Sequence, residues 1–168
     1  MQCFNIDGLS FDFPDEWHVD KYDEWSFYRN QFIRMRDGIK SLDLLAIDSD
    51  KTAWLIEVKD YQQYPRTKPS ELSREIADKV FDTLAAMLPA KLNASDEKEK
   101  QIANKVIASR KVRIVLHLEQ PAKHSKLRPR AINPADIELK LRQLLKPIDA
   151  HPLVAERSSM RNLPWIVN

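Results

Sequence analysis

Two short apolar segments, SLDLLAID (41–48) and AWLIEVKDY (53–61), stand either side of a compact polar tripeptide, Ser49-Asp50-Lys51. Both segments are apolar at successive positions, as central strands covered on two faces are. Yet they carry Asp43, Glu57 and Lys59, and an ionised group taken from water costs several kcal/mol unless it is paired or metal-bound. If the tripeptide closes a hairpin, Leu44 lies opposite Ile56, Leu45 opposite Leu55, Ala46 opposite Trp54 and Ile47 opposite Ala53. One step further, Asp43 meets Glu57. Lys59, two residues on, points to the same side. Like charges directly opposite repel, and a divalent cation between them turns that repulsion into binding. Shortening the loop by one residue would send Asp43 to the other face. The same three residues also fit a cross-strand salt bridge at the open end of a hairpin, so this alternative stands beside the site.

Around that hairpin the sequence alternates strand and helix. CFNIDGLSFDF reads as a hairpin turning at Asp7-Gly8. Apolar residues at 22, 25, 28 and 32 have helical spacing, with Asp20 or Asp23 as cap, and 32–36 leads toward a short strand. After the polar linker YQQYPRTKPS, Ser70 is expected to cap a helix. Its core stripe is Leu72, Ile76, Val80, Leu84 and Leu88, and Pro89 is expected to end it. Lys68, Arg74 and Lys79 read as its solvated face, with contact to a phosphate backbone as the alternative for Arg74 and Lys79. A charged cap at 93–100 precedes a second helix to about 109, and VRIVLHL is a strand that carries His117. Asn133-Pro134 starts a further helix, with Ile137, Leu141 and Leu144 inward. The last 20 residues return as one or two strands ending in PWIV. Strands alternating with helices predict an α/β fold, a mixed β-sheet flanked by helices. The length of 168 residues predicts a single domain.

Several function classes are excluded. With two glycines the chain holds neither a dinucleotide-binding fingerprint nor a P-loop. One cysteine and four scattered histidines leave no zinc-type spacing and no internal disulfide. The four tryptophans are expected in the core. No membrane-length apolar run and no secretory leader is present, which gives a cytoplasmic expectation and no membrane partner. Charge is uneven. Residues 1–30 carry seven acids against two bases, whereas residues 110–130 carry seven bases against Glu119. Lys123, Lys126, Arg128 and Arg130 in the second stretch are candidate phosphate contacts, and a solvated loop is the plain alternative.

Asp43, then Glu57-Val58-Lys59 on the following strand, resembles the PD-(D/E)XK nuclease superfamily; Leu42 stands where the name has proline. The likeness covers about residues 20–120, leaving 121–168 as a C-terminal elaboration. It implies a restriction endonuclease-like αβββαβ core and a metal-dependent nuclease acting on nucleic acid, DNA by family analogy. It also implies Mg²⁺ (or Mn²⁺) held by Asp43, Glu57 and the Val58 carbonyl, with Lys59 beside the attacking water. Glu24, with Asp23 competing, matches a helix glutamate near the metal. Gln62 or Gln63 matches a glutamine some members carry after the lysine. Many members pair, which implies a homodimer. A catalytically silent nucleic-acid-binding or protein-interaction module on the same fold is the alternative.

Overall fold

Alternation along the central strands decides the layering. The structure, a computed structural model, describes residues 1–67, 71–121, 126–127 and 132–168. A five-stranded sheet has the order β3 (His18–Lys21), β4 (Leu44–Ile47), β5 (Thr52–Asp60), β6 (Lys111–Glu119) and β7 (Leu153–Ala155). The first three strands are antiparallel; β6 and β7 are parallel to β5. Leu45, Leu55, Leu116 and Leu118 pack on one face against helices α2 (Leu72–Asn93), α3 (Glu97–Ile107) and α4 (Pro134–Leu145). Leu44, Ala46, Ile56, Val58 and Val115 face the other way. There they meet a second sheet of β1 (Gln2–Ile6), β2 (Leu9–Phe13) and β8 (Ile166–Val167), through Phe11, Phe13 and Val167. The fold is thus α/β, a mixed sheet flanked by helices, with a small antiparallel sheet as third layer. Among the described residues no helix is long and apolar enough to cross a membrane.

The β4–β5 hairpin has the expected register: Leu44 with Ile56, Leu45 with Leu55, Ala46 with Trp54, Ile47 with Ala53. Asp48 organises its turn. Its Oδ1 accepts from the Asp50 and Thr52 amides at 2.9 and 2.8 Å, and its Oδ2 accepts from Trp54 Nε1 at 2.9 Å. Lys51 takes φ +62°, the left-handed conformation a three-residue loop requires of its last member. At the N-terminus Asp7 and Gly8 both have positive φ, joining β1 to β2.

Other expectations are corrected. Residues 22–32 do not form one helix. They make a 3₁₀ turn at Tyr22–Glu24, the single-turn helix α1 (Ser26–Asn30) and a second 3₁₀ turn at Phe32–Arg34, with no strand after it. The exposed amides of α1 are capped from afar. Ser26 and Phe27 donate to the two oxygens of Glu99 on α3, at 2.7 and 3.1 Å. Asp20 caps nothing; its carboxylate accepts from Trp25 Nε1.

In α2 the inner stripe is not an unbroken i, i+4 series. Each four-residue step advances about 40° beyond a full turn, so Leu88 arrives about 160° from Leu72. Leu88 is exposed, and Ala86, Met87 and Ala90 are buried instead. Pro89 lies inside α2, which continues to Asn93; the cost is one backbone hydrogen bond. Ser70 lies outside the described residues, and Glu71 occupies the N-cap position. Asn133 does cap α4, accepting from the Ala135 amide at 3.0 Å, although Leu145 rather than Leu144 is its fully buried third residue. Trp17, Trp25 and Trp165 are buried, and Trp17 stacks on Trp54.

Candidate active site

Beyond the last ladder pair, Leu44 with Ile56, the chains of β4 and β5 continue to Asp43 and Glu57. Here a side chain takes over from the backbone: the Val58 amide donates to Asp43 Oδ2 at 2.7 Å. On the other side of Asp43 its carbonyl accepts from the Tyr22 amide at 2.9 Å. Asp43 is therefore held between β5 and the first residue after β3. The N–H and C=O of one strand residue share an edge, so the Val58 carbonyl opens toward Asp43 as well.

Glu57 is fully buried. Its Oε1 receives two ammoniums, Lys59 Nζ at 2.8 Å and Lys79 Nζ at 2.5 Å. Its Oε2 is buried without a hydrogen-bond partner. Lys59 also lies 3.7 Å from Glu75 Oε1 on α2, and Glu75 Oε2 accepts from Arg66 at 2.8 Å. Beside Lys59 a cleft of about 330 Å³ opens, lined by Asp7, Tyr61, Tyr64, Arg66 and Glu75 among others.

Burial, then the charge of Glu57, pushes the Asp43 carboxyl up to about 7 against the opposing pull of the Val58 amide, Lys79 and Lys59. Burial alone would lower Lys59, but the charge of Glu57 and its hydrogen bond outweigh this, so the ammonium is held more firmly than usual. Burial raises Asp23, and the Asp43 charge adds to it. Asp23 thus belongs to the electrostatic neighbourhood of Asp43, with Oδ1 buried and without a hydrogen-bond partner. Glu24 points elsewhere, its half-exposed carboxylate 3.3 Å from Lys21.

The structure therefore brings Asp43, Glu57, Val58 and Lys59 together and leaves Glu24 outside the cluster, on Lys21. Lys126 is exposed. Lys123, Arg128 and Arg130 lie outside the described residues. Gln62 reaches across to Glu119 at 3.0 Å, on the far face, while Gln63 is exposed. Lys79, expected on a solvated face, is the largest departure. Its signal was in the sequence: seven residues after Leu72, it falls about 20° from it around the helix, within the apolar arc. Asp23 carried no comparable signal, because its position depends on how the chain bends after β3.

A second polar cluster sits on the other face of β6. His117 Nε2 lies 2.8 Å from Glu119 Oε1, which also accepts from the Arg157 amide at 2.7 Å. Burial would raise the Glu119 carboxyl, but the His117 hydrogen bond and the Arg157 amide prevail and hold it down at about 2. This cluster ties the segment after β7 to the sheet.

The donor set is compatible with a hard cation: one carbonyl and two carboxylates, of which Glu57 has a buried oxygen without a hydrogen-bond partner. It is not a ready-made cage. Among the described residues no three acidic, imidazole or thiol side chains are grouped closely enough to hold a metal by themselves. Waters and a substrate phosphate would have to complete the shell, as Mg²⁺ commonly arranges.

Over 201 aligned residues, covering 95% of this chain, the sequence is 30% identical to a cysteine--tRNA ligase of Neisseria meningitidis serogroup A (serotype 4A). The match spans 29% of that ligase's length. No protein-family model and no solved structure matches the chain.

Proposed function

We propose that this chain is a metal-dependent phosphodiesterase of the PD-(D/E)XK type, cutting nucleic acid with Mg²⁺ or Mn²⁺. The observation that carries this reading is the convergence of Asp43, Glu57 and Lys59 at the mouth of one hairpin, with Glu57 Oε2 buried and unsatisfied. The topology supports it. Three antiparallel strands, β3, β4 and β5, are followed by two helices and by β6 parallel to β5, much as in a βββαβ core. One departure from the αβββαβ order is that the short helix α1 lies between β3 and β4 instead of ahead of the strands.

In this reading Asp43, Glu57 and the Val58 carbonyl hold the cation. When bound, the cation neutralises phosphate charge and acidifies a water. Glu57 holds Lys59 as an ammonium, which suits it to donate hydrogen bonds to the attacking water or the phosphate. The water oxygen would bond to phosphorus and give up a proton to solvent, while the bond to the leaving sugar oxygen breaks and that oxygen takes up a proton from solvent. Burial at the base of the site excludes bulk water and strengthens each of these interactions.

A second reading is a binding module that does not cut. The saturation of Glu57 Oε1 by two ammoniums favours it. The similarity to a cysteine--tRNA ligase makes tRNA a polyanion to test beside DNA. The deciding assay incubates the protein with Mg²⁺ or Mn²⁺ and duplex DNA, single-stranded DNA or tRNA. Asp43→Asn and Lys59→Met serve as controls and are expected to lose at least about 100-fold in rate. Equal rates for wild type and both variants would leave only the binding reading.

A further inference from the structure

Lys79 is a cation on Glu57 that the hairpin does not supply. It reaches Glu57 from α2, one turn after Glu75, which faces Lys59 and Arg66. Only about 15% of its side chain is exposed. An ammonium on Glu57 Oε1 cancels charge, yet it leaves Oε2 without a partner, so it neutralises this carboxylate without coordinating it fully. With both carboxylates ionised, the formal charges of Asp43, Glu57, Lys59 and Lys79 add to zero, and Glu75 beside Lys59 is offset by Arg66. A divalent cation entering that set raises it to +2, in a place where charge is poorly screened. Two events relieve the excess: departure of an ammonium from Glu57, or arrival of a phosphate. Lys59 is fixed by its own strand, with Glu57 two residues away. Both stems are flexible, but Lys59 is also held by Glu75 Oε1 at 3.7 Å, whereas Lys79 reaches Glu57 from a neighbouring element, so Lys79 is the ammonium assigned to leave.

We propose that Lys79 is an internal counter-ion that competes with a divalent cation for Glu57 and, once displaced, turns its ammonium to the backbone phosphate of the bound nucleic acid. The inference rests on the cation-dependent reading above and adds a regulatory step to it. In the absence of nucleic acid Lys79 keeps the site neutral and weakly receptive to metal. With a phosphate present, metal and polyanion reinforce each other's binding.

This coupling predicts opposite effects from one substitution. Lys79→Met keeps the apolar stem and removes the ammonium. It should bind Mn²⁺ about five- to tenfold more tightly, read from loss of the free Mn²⁺ electron paramagnetic resonance signal. It should also bind a short labelled oligonucleotide in Ca²⁺ about fivefold more weakly, read by fluorescence anisotropy. A lysine that only supported the fold would weaken both. Lys79→Gln carries the same test if circular dichroism shows Lys79→Met to be unfolded, and Glu57→Gln should abolish Mn²⁺ binding. Unchanged or weaker Mn²⁺ affinity in the Lys79 variants overturns the proposal while leaving the metal site standing. Folded wild type and variants that all fail to take up Mn²⁺ would overturn both this inference and the cation-dependent function.

Discussion

An ionised Asp43 is an expense to this fold, and its sign can be followed with pH. Its folded pKa, about 7, lies above the unfolded carboxylate value, so the folded state binds its proton more tightly. That contribution to stability is fully present below about pH 4 and is lost as pH rises through 7. Asp43→Asn, which can still accept from the Val58 amide, should therefore stabilise the metal-free protein above pH 7 by about 1–2 kcal/mol and change little below pH 4. Urea unfolding at the two pH values measures this. Glu119 behaves in the opposite way, because its folded pKa is depressed to about 2. Its contribution is present above about pH 4.5 and disappears as pH falls toward 2. Glu119→Gln should cost about 1–2 kcal/mol at pH 7, a difference that fades with acidification. A deficit that stayed constant across that range would show that shape, and not charge, is what Glu119 provides.

At the scale of elements, the β4–β5 turn and helix α2 decide what the site contains. Asp48 satisfies two turn amides and the Trp54 indole; Asp48→Ala should cost about 2 kcal/mol. Deleting Ala46 attacks function more directly, since a one-residue slip within β4 brings Asp43 opposite Ile56 and turns it to the opposite face. The proposed nuclease activity should vanish even if circular dichroism still reports a folded chain. Helix α2 offers a paired test of its true inner face. Leu88→Lys, on the exposed side, should alter stability by less than about 0.5 kcal/mol. Met87→Lys, one position away and buried, should cost more than about 3 kcal/mol. Similar thermal shifts for the two would contradict the placement of the helix.

The whole molecule is a stack of three layers, and the site lies between the helices and the central sheet while the small sheet closes the far side. Trp165 sits at the heart of that closure, in ring contact with Phe13, Trp17 and Trp54. Trp165→Ala should remove about 3–5 kcal/mol. Because the same sheet backs Asp43 and Glu57, the proposed metal affinity should weaken along with the melting temperature.

The hairpin register, and with it the meeting of Asp43, Glu57 and Lys59, followed from the sequence alone. Strand side chains alternate with period two and the loop length sets the parity, both of which are local properties. Strand and helix alternation gave the α/β class for the same reason. Residues 22–32 were misleading because their aromatic spacing resembles a helix, whereas the α1 amides find their acceptor in Glu99, more than seventy residues away. Only the tertiary structure brought Asp23 to Asp43 and Lys79 to Glu57. Those contacts depend on where a bend and a separate helix come to rest on the sheet. The spacing from Leu72 turns Lys79 inward, but packing between elements settles which strand residue it meets, and no pattern within α2 or the bend encodes that.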